Sequence, residues 1–265
     1  MPLGKSEINN LIVKYLEQQK QVYGDGYVIS REKFNAFKNS PDGPARKKID
    51  ITTESKPSMD NTKKELPESL KDYFSNIKEC QKCSLSQTRT NFVFGVGNPD
   101  ADLLIVGEAP GAEEDRLGEP FVGRAGKLLN KILDSINFKR EDVFIGNILK
   151  CRPPGNRDPL EEEVRECEPY LHEQIKIIQP KVLLALGRIS AQTLLKSRDN
   201  LTSFRGKIHY YQGIPMLVTY HPAALLRNPN WKYPTWDDVR YLKNIYEALK
   251  KGENPENIVF EKRAN

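Results

Sequence analysis

The run Leu103-Leu104-Ile105-Val106, followed at once by GEAPGAEEDRLGEPFVGRAG over Gly107–Gly126, constrains this chain more than any other stretch. Four consecutive apolar residues, ending in β-branched Ile105 and Val106, suit a strand buried in a parallel sheet. The glycines and prolines behind it take the chain out of the sheet as a loop. Lys127-Leu128-Leu129 and Ile132-Leu133 then fall at helical spacing, so the loop runs into an amphipathic helix. In open α/β sheets ligands bind in the crevice beyond the carboxyl ends of the strands. A connection of about twenty residues there is longer than most, and long ordered loops are mostly functional. The plainer alternative is a surface loop with acidic decoration, and we set it aside.

The same alternation continues downstream. Val143–Ile148 (VFIGNI) reads as a second strand, followed by the loop LKCRPPGNRDP. Asp158, Pro159 and Glu161 supply a cap, a first-turn proline and a capping-box acid for a helix kinked at Pro169 and ending near Ile178. Val182–Leu186 is a further strand, and Gly187–Leu195 turns into a helix. Ile208–Tyr211 and Pro215–Tyr220 form a strand pair leading to His221-Pro222, and Trp236–Leu249 is a terminal amphipathic helix. Upstream, Phe92–Val96 is a strand or extended lead-in, and Leu70, Tyr73, Phe74 and Ile77 share a helical face. The pattern predicts an α/β protein: a three-layer α/β/α domain over residues 66–265 with a central, mostly parallel four-stranded sheet.

Residues 39–65 are rich in Lys, Ser, Pro, Asp and Thr and read as a flexible linker. Residues 1–38 carry helical faces (Ile8, Leu11, Ile12, Tyr15, Leu16; Phe34 and Phe37) around a break at Gly24-Asp25-Gly26. This N-terminal helical extension either packs on the core, the reading we prefer, or docks a protein partner.

Lys and Arg total 41 against 36 Asp and Glu, a net charge of +5. That is compatible with a polyanionic partner without requiring one. No run approaches the roughly twenty apolar residues of a membrane span, and MPLGKSEINN lacks the apolar core of a signal peptide. We expect a cytoplasmic monomer with no membrane contact. In a reducing compartment the four cysteines are metal ligands or free thiols rather than disulfides. Cys80 and Cys83 form a C-x2-C pair; Cys151 and Cys167 are separated by fifteen residues. Folding that united them would suit zinc or an iron–sulfur cluster, and the spacing does not choose. His172 lies five residues past Cys167, a spacing that turns it away on a helix, which weakens mixed zinc ligation.

The strings GEAPGAEED, GEPFVGRAG, NILKCRPPGNR and HPAALLRNP, with the four-cysteine pattern, together resemble the family 4 uracil-DNA glycosylases, the iron–sulfur branch of that superfamily. The resemblance spans Cys80 to about Pro229 and leaves residues 1–65 outside. It implies a bacterial or archaeal DNA-repair enzyme acting on uracil-containing DNA, single- or double-stranded. It also implies a [4Fe-4S] cluster on Cys80, Cys83, Cys151 and Cys167, and a uracil pocket between the first and last motifs.

Removing a base from DNA requires extruding it into a pocket, with donors placed where negative charge develops on the departing uracil. His221 is the expected donor, since the histidine of this motif contacts the O2 side of uracil in the family. Asn147 offers the donor and acceptor that match uracil O4 and N3–H. Phe121, in the glycine-rich loop, is the expected stacking surface, with Gly107 and Glu108 lining the pocket. The better-known uracil-DNA glycosylases carry a water-activating aspartate where this chain has Ala109, and a thymine-excluding tyrosine where it has Gly111. Glu108 and Glu114 are therefore the carboxylates considered for placing water, against a plainer role capping the next helix or pairing with Arg116 or Arg124. Gly187 and Ser190 at a helix start, Leu225 as part of a wedge Leu225-Leu226-Arg227-Asn228, and Arg227 are the expected DNA contacts.

Rival readings fare worse. Gly126-Lys127 is followed by Leu128, so no triphosphate loop is present, and Gly107–Gly111 lacks dinucleotide spacing. Covalently trapping relatives carry a histidine-bearing insertion where Cys151–Asp158 is short and without histidine. A scaffold serving a replication partner is the remaining rival.

Overall fold

A computed structural model describes residues 69–262. The expectations for residues 1–38 and 39–65, and for the start of the domain at Leu66, lie outside the described residues.

The strands are β1 (Val96–Gly97), β2 (Leu103–Gly107), β3 (Phe144–Asn147), β4 (Val182–Leu186), β5 (His209–Tyr211) and β6 (Ile214–Thr219), in the sheet order β1-β3-β2-β4-β6-β5. The four inner strands β3, β2, β4 and β6 are parallel, as expected. The edges differ from the expected four-stranded sheet: β1 and β5 each add a short antiparallel pairing, making six strands. The sequence marked Ile208–Tyr211 and Phe92–Val96 as extended, and what it left out of the count is that each edge pairs into the same sheet.

Alternate side chains feed two cores, because successive strand residues point to opposite faces. Leu104, Val106, Leu183, Ala185, Met216 and Val218 face α1 (Leu70–Ile77), α4 (Glu161–Ile178) and α5 (Arg188–Leu195). Leu103, Ile105, Ile145, Leu184 and Leu217 face α3 (Arg124–Asp134) and α8 (Lys232–Lys250). The apolar stripes of α3 (Leu129, Leu133) and α8 (Val239, Leu242, Ile245) are fully buried against that second face. Three layers result, with two short helices, α6 (Leu201–Phe204) and α7 (Pro222–Arg227), in the connections.

Two local expectations are corrected. The segment after β2 is not one long loop: α2 (Ala112–Leu117) occupies its middle, with Glu113, Glu114 and Asp115 in the first turn favouring the positive helix end. Helix α4 starts at Glu161 rather than behind an Asp158 cap. Glu163 turns back to accept from Leu160 N (2.8 Å) while Arg157 grips it with Nη1 and Nη2 (2.9 and 2.6 Å). The helix then runs unbroken to Ile178 with Pro169 inside it.

The chain leaves β2 toward β3 on one side and β4 toward β6 on the other. That reversal opens a crevice at the carboxyl ends of β2 and β4, the usual place for a ligand in such sheets.

Candidate active site

At the crevice, Gly107 and Asn147 end adjacent strands in register. A Cβ on Gly107 would stand 2.3 Å from Asn147 Oδ1 and 2.8 Å from the Phe121 ring. Gly107 is thus required by close approach, and it shows that strand β2, strand β3 and the glycine-rich loop meet here. Asn147 is 2% exposed, and its Oδ1 has no hydrogen-bond partner among the described residues. A buried acceptor left unsatisfied costs on the order of 1–3 kcal/mol, so it is a site waiting for a donor.

Phe121 is buried in a left-handed backbone conformation (φ 53°), unusual for a bulky residue. Three contacts hold it there. Arg140 Nη2 donates to Pro120 O (2.6 Å), Glu114 Oε1 accepts from Val122 N and Gly123 N (both 3.1 Å), and Gly126 admits the Phe121 carbonyl, which a Cβ would meet at 1.7 Å. Strain of this kind persists only where the surroundings over-determine it.

The Phe121 ring lies 5.4 Å from the His221 ring, tilted by 33°. His221 caps α7: its Nδ1 accepts from Ala223 N (3.2 Å). A ring nitrogen that accepts carries no proton, so the neutral imidazole keeps its hydrogen on Nε2. Burial, then the charge of Arg227, pulls the imidazolium pKa down to about 4. Gly187 makes room, since a Cβ there would sit 3.0 Å from His221 Cβ. Gly107, Phe121, Asn147 and His221 are therefore brought around one crevice from four segments of chain.

The cysteines gather on the sheet's other face. All four pack into the core cluster shared by α1 and α4, and all are free thiols. Arg89 Nη1 donates to Cys80 O (2.7 Å) and Cys151 Sγ (3.3 Å), Tyr170 Oη to Cys80 Sγ (3.1 Å), and Lys150 N to Cys167 Sγ (3.2 Å). Burial pushes the Cys167 thiol up to about 12 and raises Cys83 and Cys151. Cys151 and Cys83 add to the rise at Cys167, and Cys83 and Cys80 to that at Cys151. Three of the four sulfurs thus accept a hydrogen bond, from Tyr170, Arg89 and the Lys150 amide. Among the described residues no group of three or more His, Cys, Asp or Glu is placed to hold a metal ion.

A family model for the uracil DNA glycosylase superfamily matches residues 94–250. A type-4 uracil-DNA glycosylase of Archaeoglobus fulgidus is 48% identical over 186 residues, covering 67% of this chain and 94% of that protein. The chain belongs to the type-4 uracil-DNA glycosylases. A type-4 enzyme of Thermotoga maritima is 44% identical over 169 residues (63% of this chain, 86% of that one). A type-5 enzyme of Pyrobaculum aerophilum is 30% identical over 146 residues (49% and 64%). The protein is accordingly a DNA-repair hydrolase of the uracil-DNA glycosylase class, with relatives in archaea and bacteria. No helix among the described residues is long and apolar enough to cross a membrane.

With the family in hand, the two carboxylates separate. Glu114, expected beside the chemistry, spends Oε1 on two backbone amides, and Arg116 pairs with Glu113 instead (2.9 Å). Through Oε1 it latches the Phe121 loop, which accords with the plainer structural role weighed for it. Glu108 has no such commitment. Burial, then repulsion from Asp158, raises its pKa to about 7 against partial relief from Arg188. Between about pH 4.5 and 7 the folded state keeps a proton that the unfolded state releases, so this group makes stability fall as pH rises through that window. Glu108→Gln should abolish that contribution, raising the Tm relative to the parent at about pH 8 and leaving it nearly unchanged at about pH 4. Parallel melting curves at both pH values would refute the assignment.

Three of the expected DNA contacts are engaged or buried within the fold. Ser190 is fully buried, and its hydroxyl donates to Leu186 O (2.6 Å) and Gly187 O (3.2 Å), tying α5 to β4 rather than meeting a phosphate. Gly187 N donates to Thr219 O (2.8 Å), so its amide is also engaged. Leu225 is 1% exposed, whereas Leu226 is 44% exposed. One residue of rotation on α7 decides which leucine faces the core. Arg227 remains exposed at the end of that helix. Sequence reasoning missed the adjoining stack: Trp231 lies on Tyr220 (4.7 Å, 14°), and the Arg205 guanidinium covers Tyr220 at 4.4 Å while Nε bonds Asp238 Oδ2 (2.7 Å). Three of the large exposed apolar side chains, Leu226, Trp231 and Tyr233, fall within twelve residues behind His221. The only advance signal was the aromatic content just past the HPAALLRNP string.

Proposed function

We propose that this chain hydrolyses the N-glycosidic bond of deoxyuridine in DNA, leaves an abasic site, and does not cut the backbone. The orphaned, buried Oδ1 of Asn147 beside the Phe121 ring carries this reading, because uracil N3–H is a donor of the required kind. An extruded uracil stacks on Phe121, donates N3–H to Asn147 Oδ1 and accepts at O4 from Nδ2. Cytosine reverses both polarities and would leave the amide unsatisfied. His221 donates from Nε2 to O2 as negative charge grows there during bond cleavage, and as a neutral imidazole it needs no prior protonation. Glu108, the carboxylate at the crevice not consumed by backbone amides, orients the attacking water. Gly107, Phe121, Asn147 and His221 offer no amine to form a covalent adduct with the sugar, so cleavage stops at base release.

Cys80, Cys83, Cys151 and Cys167 would hold a [4Fe-4S] cluster, supported by their packing at one core cluster and by the Arg89, Tyr170 and Lys150 donors to three of the sulfurs. When bound, the cluster would supply a covalent cross-link between the segment behind α1, the loop after β3, and α4. The hydrolysis itself uses the crevice residues.

Leu226, Arg227 and Trp231 form the DNA face. An exposed leucine beside the histidine fills the space that the extruded base leaves. Leu226→Ala should lower kcat/KM about tenfold on double-stranded uracil DNA and far less on single strands, where no stack needs holding open. Equal losses on both substrates would remove Leu226 from that role.

The deciding experiment treats uracil-containing oligonucleotides with the protein and then with alkali. Strand breaks at uracil under turnover, appearing only after alkali, are expected from the iron-containing preparation. A stable gel shift without base release would instead identify a binding protein.

A further inference from the structure

Next to His221 the chain builds a flat aromatic stack that the uracil pocket does not use. Tyr220 lies between the end of β6 and His221. The Arg205 guanidinium lies 4.4 Å over its ring, and the Trp231 ring lies 4.7 Å away at 14°. Two planar groups that close leave each other no room on one face, so Tyr220 is sandwiched between them. The inner end of the stack is fixed. Arg205 Nε donates to Asp238 Oδ2 (2.7 Å), which also accepts from Thr219 Oγ1 (2.6 Å), and Arg205 Nη2 donates to Pro234 O (2.7 Å). The outer end is held through its backbone. Trp231 N donates to Asn228 O (3.2 Å), and Thr235 Oγ1 donates to Trp231 O (2.7 Å). Among the described residues no second ring or cation covers Trp231, which is 38% exposed. An indole mounted in this way is ordered before any ligand arrives, which lowers the entropic cost of binding.

We propose that Trp231 is a stacking platform for an unpaired nucleobase of the DNA strand, one that flanks the uracil. The proposal rests on the reading of this surface as the DNA face and adds a base subsite to it. Three observations select a nucleobase as the occupant. The surface is a planar ring backed by a second ring and a cation, which fits the π-face that every base presents. From His221 to Trp236 the chain has no acidic residue, and Arg227 and Lys232 are both exposed, so a phosphate backbone meets only positive charge along this segment. Tyr220 and His221 are adjacent residues, so the stack is continuous with the crevice. Stacking does not read base identity, and any neighbouring base is accepted. In a duplex those neighbours are paired and stacked on one another, whereas in a single strand they are free to lie on the indole. The platform therefore serves single-stranded substrate, where Leu226 has no stack to hold open.

The test measures binding of the full chain to a uracil-free single-stranded oligonucleotide and to the same backbone carrying abasic analogues throughout. Trp231→Ala should weaken binding to the base-bearing strand about tenfold, the size of effect one stacked base supplies, and leave binding to the abasic strand unchanged. Trp231→Phe keeps a ring and should recover most of the loss. Trp231→Leu keeps apolar bulk without a π-face and should not. Parental affinity of Trp231→Ala for the base-bearing strand overturns the proposal, as does an equal loss on both strands. Should Trp231→Ala not fold, the tryptophan emission of the parent decides. The chain has two tryptophans, and Trp236 packs against the second core. The base-bearing strand should quench the emission and the abasic strand should not; emission unchanged by either overturns the proposal. With uracil in the strand, Trp231→Ala should lower kcat/KM about tenfold on single strands, chiefly through KM, and far less on duplex, the reverse of Leu226→Ala. An equal or larger loss on duplex overturns it. The binding and emission readings contain no uracil, so a parent that releases no uracil would count against the pocket residues and not against this platform.

Discussion

Replacing His221 with alanine should reduce kcat by roughly 10²–10³, the loss expected for a donor aimed at developing negative charge in a water-poor site. The same substitution removes the cap of α7, which costs about 1 kcal/mol of stability. The two effects separate cleanly. His221→Asn restores an acceptor for Ala223 N and should recover the stability, yet it places no donor where Nε2 stands, so turnover should stay low. The pH behaviour is a second signature. With its pKa pulled to about 4, His221 stays neutral across the working range, so the kcat profile should show no imidazole inflection between about pH 5 and 8. The unfolded histidine titrates near 6.5 and binds more protons than the folded one between 4 and 6.5. Its share of stability is therefore present above 6.5 and lost as pH falls toward 4. Single-turnover rates of both variants, measured beside their melting temperatures, are the check. Alanine-variant turnover within a factor of about two of the parent would remove His221 from the chemistry.

Asn147→Asp should change what is excised. The amide presents a donor and an acceptor on distinct atoms, whereas the two oxygens of a carboxyl are interchangeable. In a site that is 2% exposed, an aspartate keeps its proton rather than remain an unpaired buried charge. The protonated group presents donor and acceptor in either order and so accepts cytosine as well as uracil. We expect kcat/KM for uracil to fall about 10²-fold and cytosine release to become measurable, since a site built on paired hydrogen bonds derives large discrimination from them. Alkali-labile breaks at cytosine in a uracil-free oligonucleotide are the readout. Their absence, with uracil release intact, would show that Asn147 does not read the base edge.

Much of the site was legible because its residues sit at strand ends. Asn147 closes β3, His221 follows β6 and Gly107 closes β2, and continuous apolar runs such as Leu103–Val106 mark where strands stop. The four-cysteine pattern was legible as a pattern, and chain order told which segments had to meet. Other features were not. Leu225 and Leu226 are chemically identical neighbours, and only the rotation of α7 against the core sends one inward. Ser190 at a helix start looks like a phosphate ligand until its hydroxyl is found on Leu186 O. Glu114 looks like a catalytic acid until its oxygen is found on two amides eight and nine residues away. Lys150 reads as one more surface lysine, because nothing in a sequence shows that a long charged side chain has been taken out of water.

By itself the sequence determined the layers, the parallel inner sheet and the identity of the groups at the strand ends. These follow from side-chain period and from turn chemistry, which act over a few residues. The tertiary structure alone decided which polar atoms are already satisfied and which are left open. That depends on partners tens of residues apart, as when Glu168 meets Lys196 or Lys150 meets Gln174. The proposed chemistry rests on one such open atom, Asn147 Oδ1, and an atom's lack of a partner is a property of the folded neighbourhood rather than of the residue.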